Sequence, residues 1–333
     1  MSRIVVMGAG SWGTTVAKVI ADAGSEVVLW SRREEVANEI NETKRNSDYL
    51  PGIDLPAKLS ATSDLGVALE GAEQIYLAIP SQSLRESLAV WKDLIPKGAT
   101  LISLIKGLEQ GTGLRMSEVM VEATGLPMTH MAVVSGPNLA LEIAKQEPAA
   151  SVCACADAER ANEVARTLSN DYFTVFTNHD VIGTELGGVL KNLIAVAIGI
   201  VNGVGYGQNT KASIMTRGLA ELTRFAVAYG AEEKTMVGLA GLGDLIATSE
   251  SSLSRNHKAG EMLGKGYTLR EVQRRMAQTA EGLSSVAPIL QLAKAKHVSM
   301  PIVEQVQLVL EGRMNPRDIA PHLTHAADGP VDE

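Results

Sequence analysis

The feature that most constrains this chain is Gly8-Ala9-Gly10-Ser11-Trp12-Gly13, set between the β-branched run Ile4–Met7 and a helical pattern over Ser11–Ala23. The spacing G-x-G-x-x-G means little alone. Between a strand and a helix it points to a dinucleotide-binding turn. Gly8 permits the tight turn, Gly10 lets a pyrophosphate approach the backbone, and Gly13 lets the helix lie close on the strand. Unpaired N–H groups at a helix start attract phosphate. Trp12, Val16, Val19 and Ile20 recur at helical spacing. Gly24 closes that helix, and Glu26–Trp30 reads as the next strand.

The alternation continues through strand-like runs at Gln74–Ile79, Thr100–Ile105, Met131–Ser135, Ala150–Cys155 and Tyr172–Phe176. Strand and helix in turn predict a mostly parallel sheet covered on both faces. From Asp180 the pattern is helical almost throughout: Asp180–Val201, Asn209–Tyr229, Glu232–Val237, Ser254–Gly264, Thr268–Met276, Ser284–Ala295 and Ile302–Leu310. The expected fold is an α/β Rossmann-type doubly wound parallel sheet followed by an all-α C-terminal domain. Residues 1–182 are expected to bind dinucleotide, and residues 183–333 to hold the substrate and catalytic groups. The length of 333 residues suits two domains. The small, polar tail Ala326–Glu333 is expected to fray. Only 4% of residues are aromatic, while Gly and Ala are plentiful, which favours close packing of helices.

A net charge of −8 argues against nucleic-acid binding, which needs Lys and Arg to neutralise phosphates. A small anionic substrate is still compatible, because a local basic cluster can dominate one cleft. Cys153 and Cys155 lie in the apolar stretch AASVCACA, with no His at metal-ligand spacing. They are expected on opposite faces of a strand, as small buried hydrophobes that do not pair, and no metal is expected. Low cysteine use fits a reducing compartment. The apolar run at the N-terminus is too short for a signal peptide. The stretch Val189–Val201 contains Lys191 and Asn192 and falls short of the ~18 residues of a membrane span. The expected setting is cytoplasmic, with no membrane span.

Several residues stand where chemistry is expected. After the second strand come Arg32 and Arg33. An acid there suits NAD, whereas an arginine accommodates the 2′-phosphate of NADP, so NADP is favoured over NAD. A pair of solvated arginines is the plainer reading, and Glu34 and Glu35 follow at once. Lys106 falls at the carboxyl end of a strand, where ligands of such sheets sit, and Ser135-Gly136-Pro137-Asn138 ends another. Lys191 and Asn192 are the only polar side chains in GGVLKNLIAVAIGIV, from Gly187 to Val201. A helix apolar all round is buried, and a buried cation is costly unless something offsets it. Burial disfavours a lysine's charged form, which suits it to proton transfer. The alternative is a lysine that snorkels at the helix edge. Ser254 reads as an N-cap, with Arg255 and Asn256 in the helix's first turn, where a phosphate would be favoured. Asp244 and Thr248 lie in the Gly-rich stretch before it.

Together these motifs resemble the bacterial NAD(P)-dependent glycerol-3-phosphate dehydrogenase family. The likeness rests on GAGSWGT at 8–14, LIKGLE at 104–109, SGPNLA at 135–140 and NHDVIGTELGGVLKN at 178–192. It continues through NTKASIMTRGLAE at 209–221, GLAGLGDLIAT at 238–248 and SRN at 254–256. The resemblance implies interconversion of dihydroxyacetone phosphate and sn-glycerol 3-phosphate, for the phospholipid backbone, by a homodimer. It implies that Lys191 transfers the proton and that Lys106 lies near both cofactor and substrate. Gly136, Asn192, Asp244, Thr248, Ser254, Arg255 and Asn256 match its substrate contacts, and Asn138, which can still hydrogen-bond, stands at a further such position. Ser11, Trp12, Arg32, Ala140, Arg255 and Glu281 match its cofactor contacts. Three positions depart from the pattern: Asn138 stands for a usual Ser, Leu139 for Phe, and Thr279 for a small apolar residue. A hydroxy-acid or sugar-acid dehydrogenase of the same build would need a carboxylate site instead of a phosphate site. A binding module that senses NAD(P)H without chemistry would leave the lysines idle.

Overall fold

A computed structural model describes residues 3–251, 254–276 and 280–319. Thr279 and the tail Ala326–Glu333 lie outside the described residues. The chain divides into two compact units, Met1–Glu185 and Leu186–Glu333.

The first unit holds strands β1 (Ile4–Met7), β2 (Val27–Trp30), β3 (Leu59–Thr62), β4 (Gln74–Leu77), β5 (Thr100–Ser103), β6 (Met131–Ser135), β7 (Ala149–Cys155) and β8 (Phe173–Asn178). Between them run α1 (Ser11–Asp22), α2 (Glu34–Thr43), α3 (Leu65–Leu69), α4 (Leu84–Trp91), α5 (Met116–Thr124), α6 (Ala140–Ala144) and α7 (Ala158–Leu168). The sheet order is β3-β2-β1-β4-β5-β6-β7-β8. Every neighbouring pair is parallel except β6 and β7. The expected α/β class is what forms, with that one antiparallel pairing added. β3 is also an addition. Its four residues, LSAT, form the sheet's edge with Ser60 exposed, and so short a run, with a single large apolar side chain, carries no strand signal.

All four residues of β1 are buried. Ile4 and Val6 face a core with Val16, Ile20 and Leu29, while Val5 and Met7 face another with Ile75, Leu77 and Leu101. A strand covered on both faces reads as a continuous apolar run. Cys153 and Cys155 correct the expectation about their faces. Side chains two apart on a strand point the same way, and both cysteines enter the core that holds Val6. They are free thiols, and burial pushes both up from the ordinary thiol range.

The second unit is helical: α8 (Val181–Val204, opening in the first unit), α9 (Gln208–Ala228), α10 (Glu233–Met236), α11 (Asp244–Glu250), α12 (Arg255–Gly264), α13 (Leu269–Arg275), α14 (Glu281–Ala295) and α15 (Pro301–Leu310). A π-helical turn, Leu239–Gly243, precedes α11. Its glycines hid both elements from a pattern reading. α8 is longer than its apolar core suggested. It is long and apolar enough to span a bilayer, yet its side chains are buried within the protein almost throughout. α8 and α12 meet main chain to main chain. A Cβ on Gly199 or Gly203 would stand 2.2 Å from the carbonyl oxygen of His257 or Glu261. One on Gly260 or Gly264 would stand 2.2 or 2.1 Å from that of Val196 or Ile200.

Glu221 on α9 is buried and accepts the N–H of Ile302, in the first turn of α15, at 2.8 Å. Burial pushes its carboxyl up from 4.5 to about 7. Because the folded value lies above the unfolded one, this group's contribution is greatest below pH 4.5 and is lost as pH rises to about 7. At roughly 1.4 kcal/mol per unit, the loss is of order 3 kcal/mol. Glu221→Gln keeps an acceptor for Ile302 without the titration. Its melting temperature should fall less than that of the wild type between about pH 5 and about pH 8. Equal slopes in a thermal melt series would overturn the assignment.

Candidate active site

The strand order reverses at β1 and β4, which places the glycine-rich turn at the sheet's switch point. Gly8 has φ 120°, and a Cβ there would stand 2.5 Å from the Ala78 carbonyl oxygen. A Cβ on Gly13 would stand 1.9 Å from the Gly8 carbonyl oxygen, so α1 packs directly on the turn. A Cβ on Gly10 would meet nothing within 4 Å. Gly10 is also the N-cap of α1 and offers no side-chain cap. Ser11 donates to the Tyr49 carbonyl at 2.6 Å. The indole N–H of Trp12 is buried without a hydrogen-bond partner among the described residues. Open space over Gly10, uncapped amides and an orphaned donor fit a dinucleotide phosphate. Asn46, which pattern reading missed, is fully buried and clasps the turn through Ala9 at 3.0 Å and Thr14 at 2.8 Å. Nothing in its local sequence marks it.

Past β2, the two arginines part company. Arg33 pairs with Asp48 at 2.8 Å and lies over the Tyr49 ring. Arg32 is exposed and has no ion pair among the described residues. Past β5, Lys106 donates to the Gly136 carbonyl at 2.9 Å. Asn138 donates to Ser151 at 3.2 Å, and its amide oxygen is buried without a partner among the described residues. Ala140 opens α6, and its carbonyl accepts from Thr15 at 3.2 Å. One further cluster carried no sequence signal. Glu185, buried at the start of α8, accepts from Arg115 at 2.7 Å and from the backbone and hydroxyl of Ser117 at 2.8 and 2.5 Å. Burial raises its carboxyl, and Arg115 and Ser117 oppose that rise.

The remaining candidates lie in the helical unit. Lys191 does not snorkel: it is 6% exposed, and its Nζ donates to Asp244 and to Thr248, each at 2.5 Å. Thr248 in turn donates to the same Asp244 oxygen at 3.2 Å. The approach depends on glycine. A Cβ on Gly187 would stand 2.5 Å from the Ala240 carbonyl oxygen, and one on Gly241 would stand 2.0 Å from that of Met236. The π turn therefore folds tightly against α8 and brings Asp244 to the lysine. Asn192 and Asn256 are buried and joined at 2.8 Å, and Asn256 accepts the Gly282 N–H at 2.9 Å. Ser254 caps α12 through the His257 N–H at 3.2 Å. Arg255 opens α12 and is exposed, and Glu281 opens α14.

A buried cation bonded to a carboxylate and a hydroxyl is a group able to exchange a proton, and an open helix start at the switch point of a doubly wound sheet is an arrangement that dinucleotide-dependent oxidoreductases use. Comparison with known proteins narrows that class. Residues 3–161 match the family described as NAD-dependent glycerol-3-phosphate dehydrogenase N-terminus, and residues 180–321 match its C-terminus. The chain belongs to the NAD-dependent glycerol-3-phosphate dehydrogenase family. A glycerol-3-phosphate dehydrogenase [NAD(P)+] of Leifsonia xyli is 60% identical over 96% of this chain and 86% of its own length. One of Thermobifida fusca is 50% identical over 96% and 95%. A solved glycerol-3-phosphate dehydrogenase from Coxiella burnetii superposes with a TM-score of 0.89, at 36% identity, covering 97% of this chain and 98% of that one.

Proposed function

We propose that this protein interconverts dihydroxyacetone phosphate and sn-glycerol 3-phosphate with NADPH or NADH, NADPH being favoured. The observation that carries the chemistry is the buried Lys191–Asp244–Thr248 cluster. The nicotinamide, when bound, supplies hydride to the ketone carbon. Lys191 donates a proton to the oxygen that becomes the hydroxyl, and in reverse, deprotonated, accepts it. Asp244 and Thr248 hold the ammonium in place. Lys106 stabilises negative charge on substrate or cofactor. Arg255, at the start of α12, takes the phosphate together with the helix's first amides, where a positive end and a guanidinium both favour an anion.

Gly8, Gly10, Ser11, Trp12 and Gly13 would hold the pyrophosphate. Of the two arginines after β2, Arg32 suits the 2′-phosphate better, since Arg33 is engaged by Asp48. Residues 1–182 thus serve the cofactor and 183–333 the substrate. The family likeness further supports a cytoplasmic homodimer that supplies the phospholipid backbone, and a sedimentation mass of a monomer would contradict the dimer.

Purified protein with dihydroxyacetone phosphate should oxidise both cofactors, NADPH the faster, read as loss of nicotinamide absorbance. Arg32→Ala should narrow the NADPH advantage by about tenfold, the loss of one charge-assisted contact of ~1.5 kcal/mol. No oxidation with cofactor binding intact would sink the substrate assignment. An unchanged ratio in the variant would sink the role of Arg32.

A further inference from the structure

We propose that Asn256 acts as a positioning residue for Asn192, through a polarity set by the backbone N–H of Gly282, so that Asn192 faces the substrate as a hydrogen-bond donor. This rests on the dehydrogenase reading above. A backbone N–H can only donate. The Gly282 N–H, one of the orphan donors of the first turn of α14, lies 2.9 Å from Asn256. Asn256 must therefore turn its amide oxygen to α14 and its NH2 to α8. That NH2 donates to Asn192 at 2.8 Å, so Asn192 must present its own oxygen in return. Both side chains are more than nine-tenths buried. The Asn192 NH2 is left with no partner among the described residues. It sits on α8 next to Lys191, whose ammonium is engaged by Asp244 and Thr248.

The fit is close on every side. The missing side chain of Gly282 is part of it, because a Cβ there would stand 2.8 Å from the Asn192 carbonyl oxygen and 2.9 Å from the Asn256 amide oxygen. α14 has no side-chain cap of its own. The Asn256 oxygen supplies that cap from another helix. One residue thus caps α14 and fixes which end of Asn192 is offered to a substrate oxygen. A residue held in this way acts on the rate through its neighbour, beyond any phosphate contact made by its second amide hydrogen.

The test is a double-mutant cycle read separately in kcat and in KM for dihydroxyacetone phosphate. Asn192→Ala and Asn256→Ala should each lower kcat by roughly 10- to 100-fold, and the two together should cost no more in kcat than Asn192→Ala alone. Multiplying losses in kcat would overturn the relay, as would a loss from Asn256→Ala confined to KM. Should Asn256→Ala fail to fold, Asn256→Asp keeps the acceptor for Gly282 and exchanges the donor for a buried carboxylate. It should melt below the wild type because of that charge, yet fold with α14 still capped. Its kcat should fall, and unchanged kcat in the folded variant would overturn the relay. Asn192→Asp keeps the acceptor for Asn256 and loses the donor to substrate, so a kcat near that of the wild type would refute the polarity. Wild-type turnover is measured in parallel. Its absence would count against the dehydrogenase reading itself, whereas an active wild type with independent losses counts against the relay alone.

Discussion

Replacing Lys191 by methionine should lower kcat by about 10³-fold or more, while cofactor affinity stays near that of the wild type. Proton transfer by a placed side chain is worth roughly 10²–10⁴ in rate, and in the proposed mechanism Lys191 would also place positive charge where the alkoxide forms. The same substitution removes a cation bonded to a buried carboxylate, Asp244 at 1% side-chain exposure. Breaking a buried pair from one side costs about 3–5 kcal/mol. The single variant should therefore melt early as well as turn over slowly. The double variant Lys191→Met with Asp244→Asn separates the two effects, because it removes the stranded charge without restoring a proton donor. Melting temperature should recover and turnover should not. If turnover recovered along with stability, Lys191 would be structural and the mechanism would need another donor.

The second large effect is expected in the glycine-rich turn, where two glycines of one motif should fail in different ways. Gly13→Ala places a methyl group 1.9 Å from the Gly8 carbonyl oxygen, a contact that main chain cannot relieve without moving α1. Overpacking of this sort costs about 1–3 kcal/mol or more, and a thermal melt should show a drop of several degrees. Gly10→Ala meets no protein atom within 4 Å, so its melting temperature should match the wild type. NADPH affinity should nevertheless fall about 100-fold or more, because the methyl group takes the space that a pyrophosphate needs against the amides of α1. A fluorescence titration checks this directly. Undiminished NADPH affinity in Gly10→Ala would mean that the turn is only a turn.

Much of this architecture can be read from sequence because its strongest elements are locally periodic. β1 and α1 announce themselves through a continuous apolar run, three spaced glycines and a helical stripe. What escapes is what depends on distant partners. β3 is an edge strand of only four residues and exists because β2 lies beside it. The reversal of β7 against β6 leaves no trace in AASVCAC. Lys191 was conspicuous as a cation in an apolar helix, but its partner Asp244 lies 53 positions away, and no spacing rule joins them. Asn46, Glu185 and Glu221 are ordinary polar residues in ordinary surroundings until folding buries them.

The contact between α8 and α12 bears on how such a chain can change. Where side chains interdigitate, an enlarged residue on one helix can be answered by a smaller one on the other, and sequence drifts through paired exchanges. Here each glycine faces a carbonyl oxygen, which every amino acid carries alike. Gly199, Gly203, Gly260 and Gly264 therefore have no opposite position whose replacement could make room. A lineage that enlarged one of them could recover only by parting the helices, and Asn192 and Asn256 would be drawn apart with them.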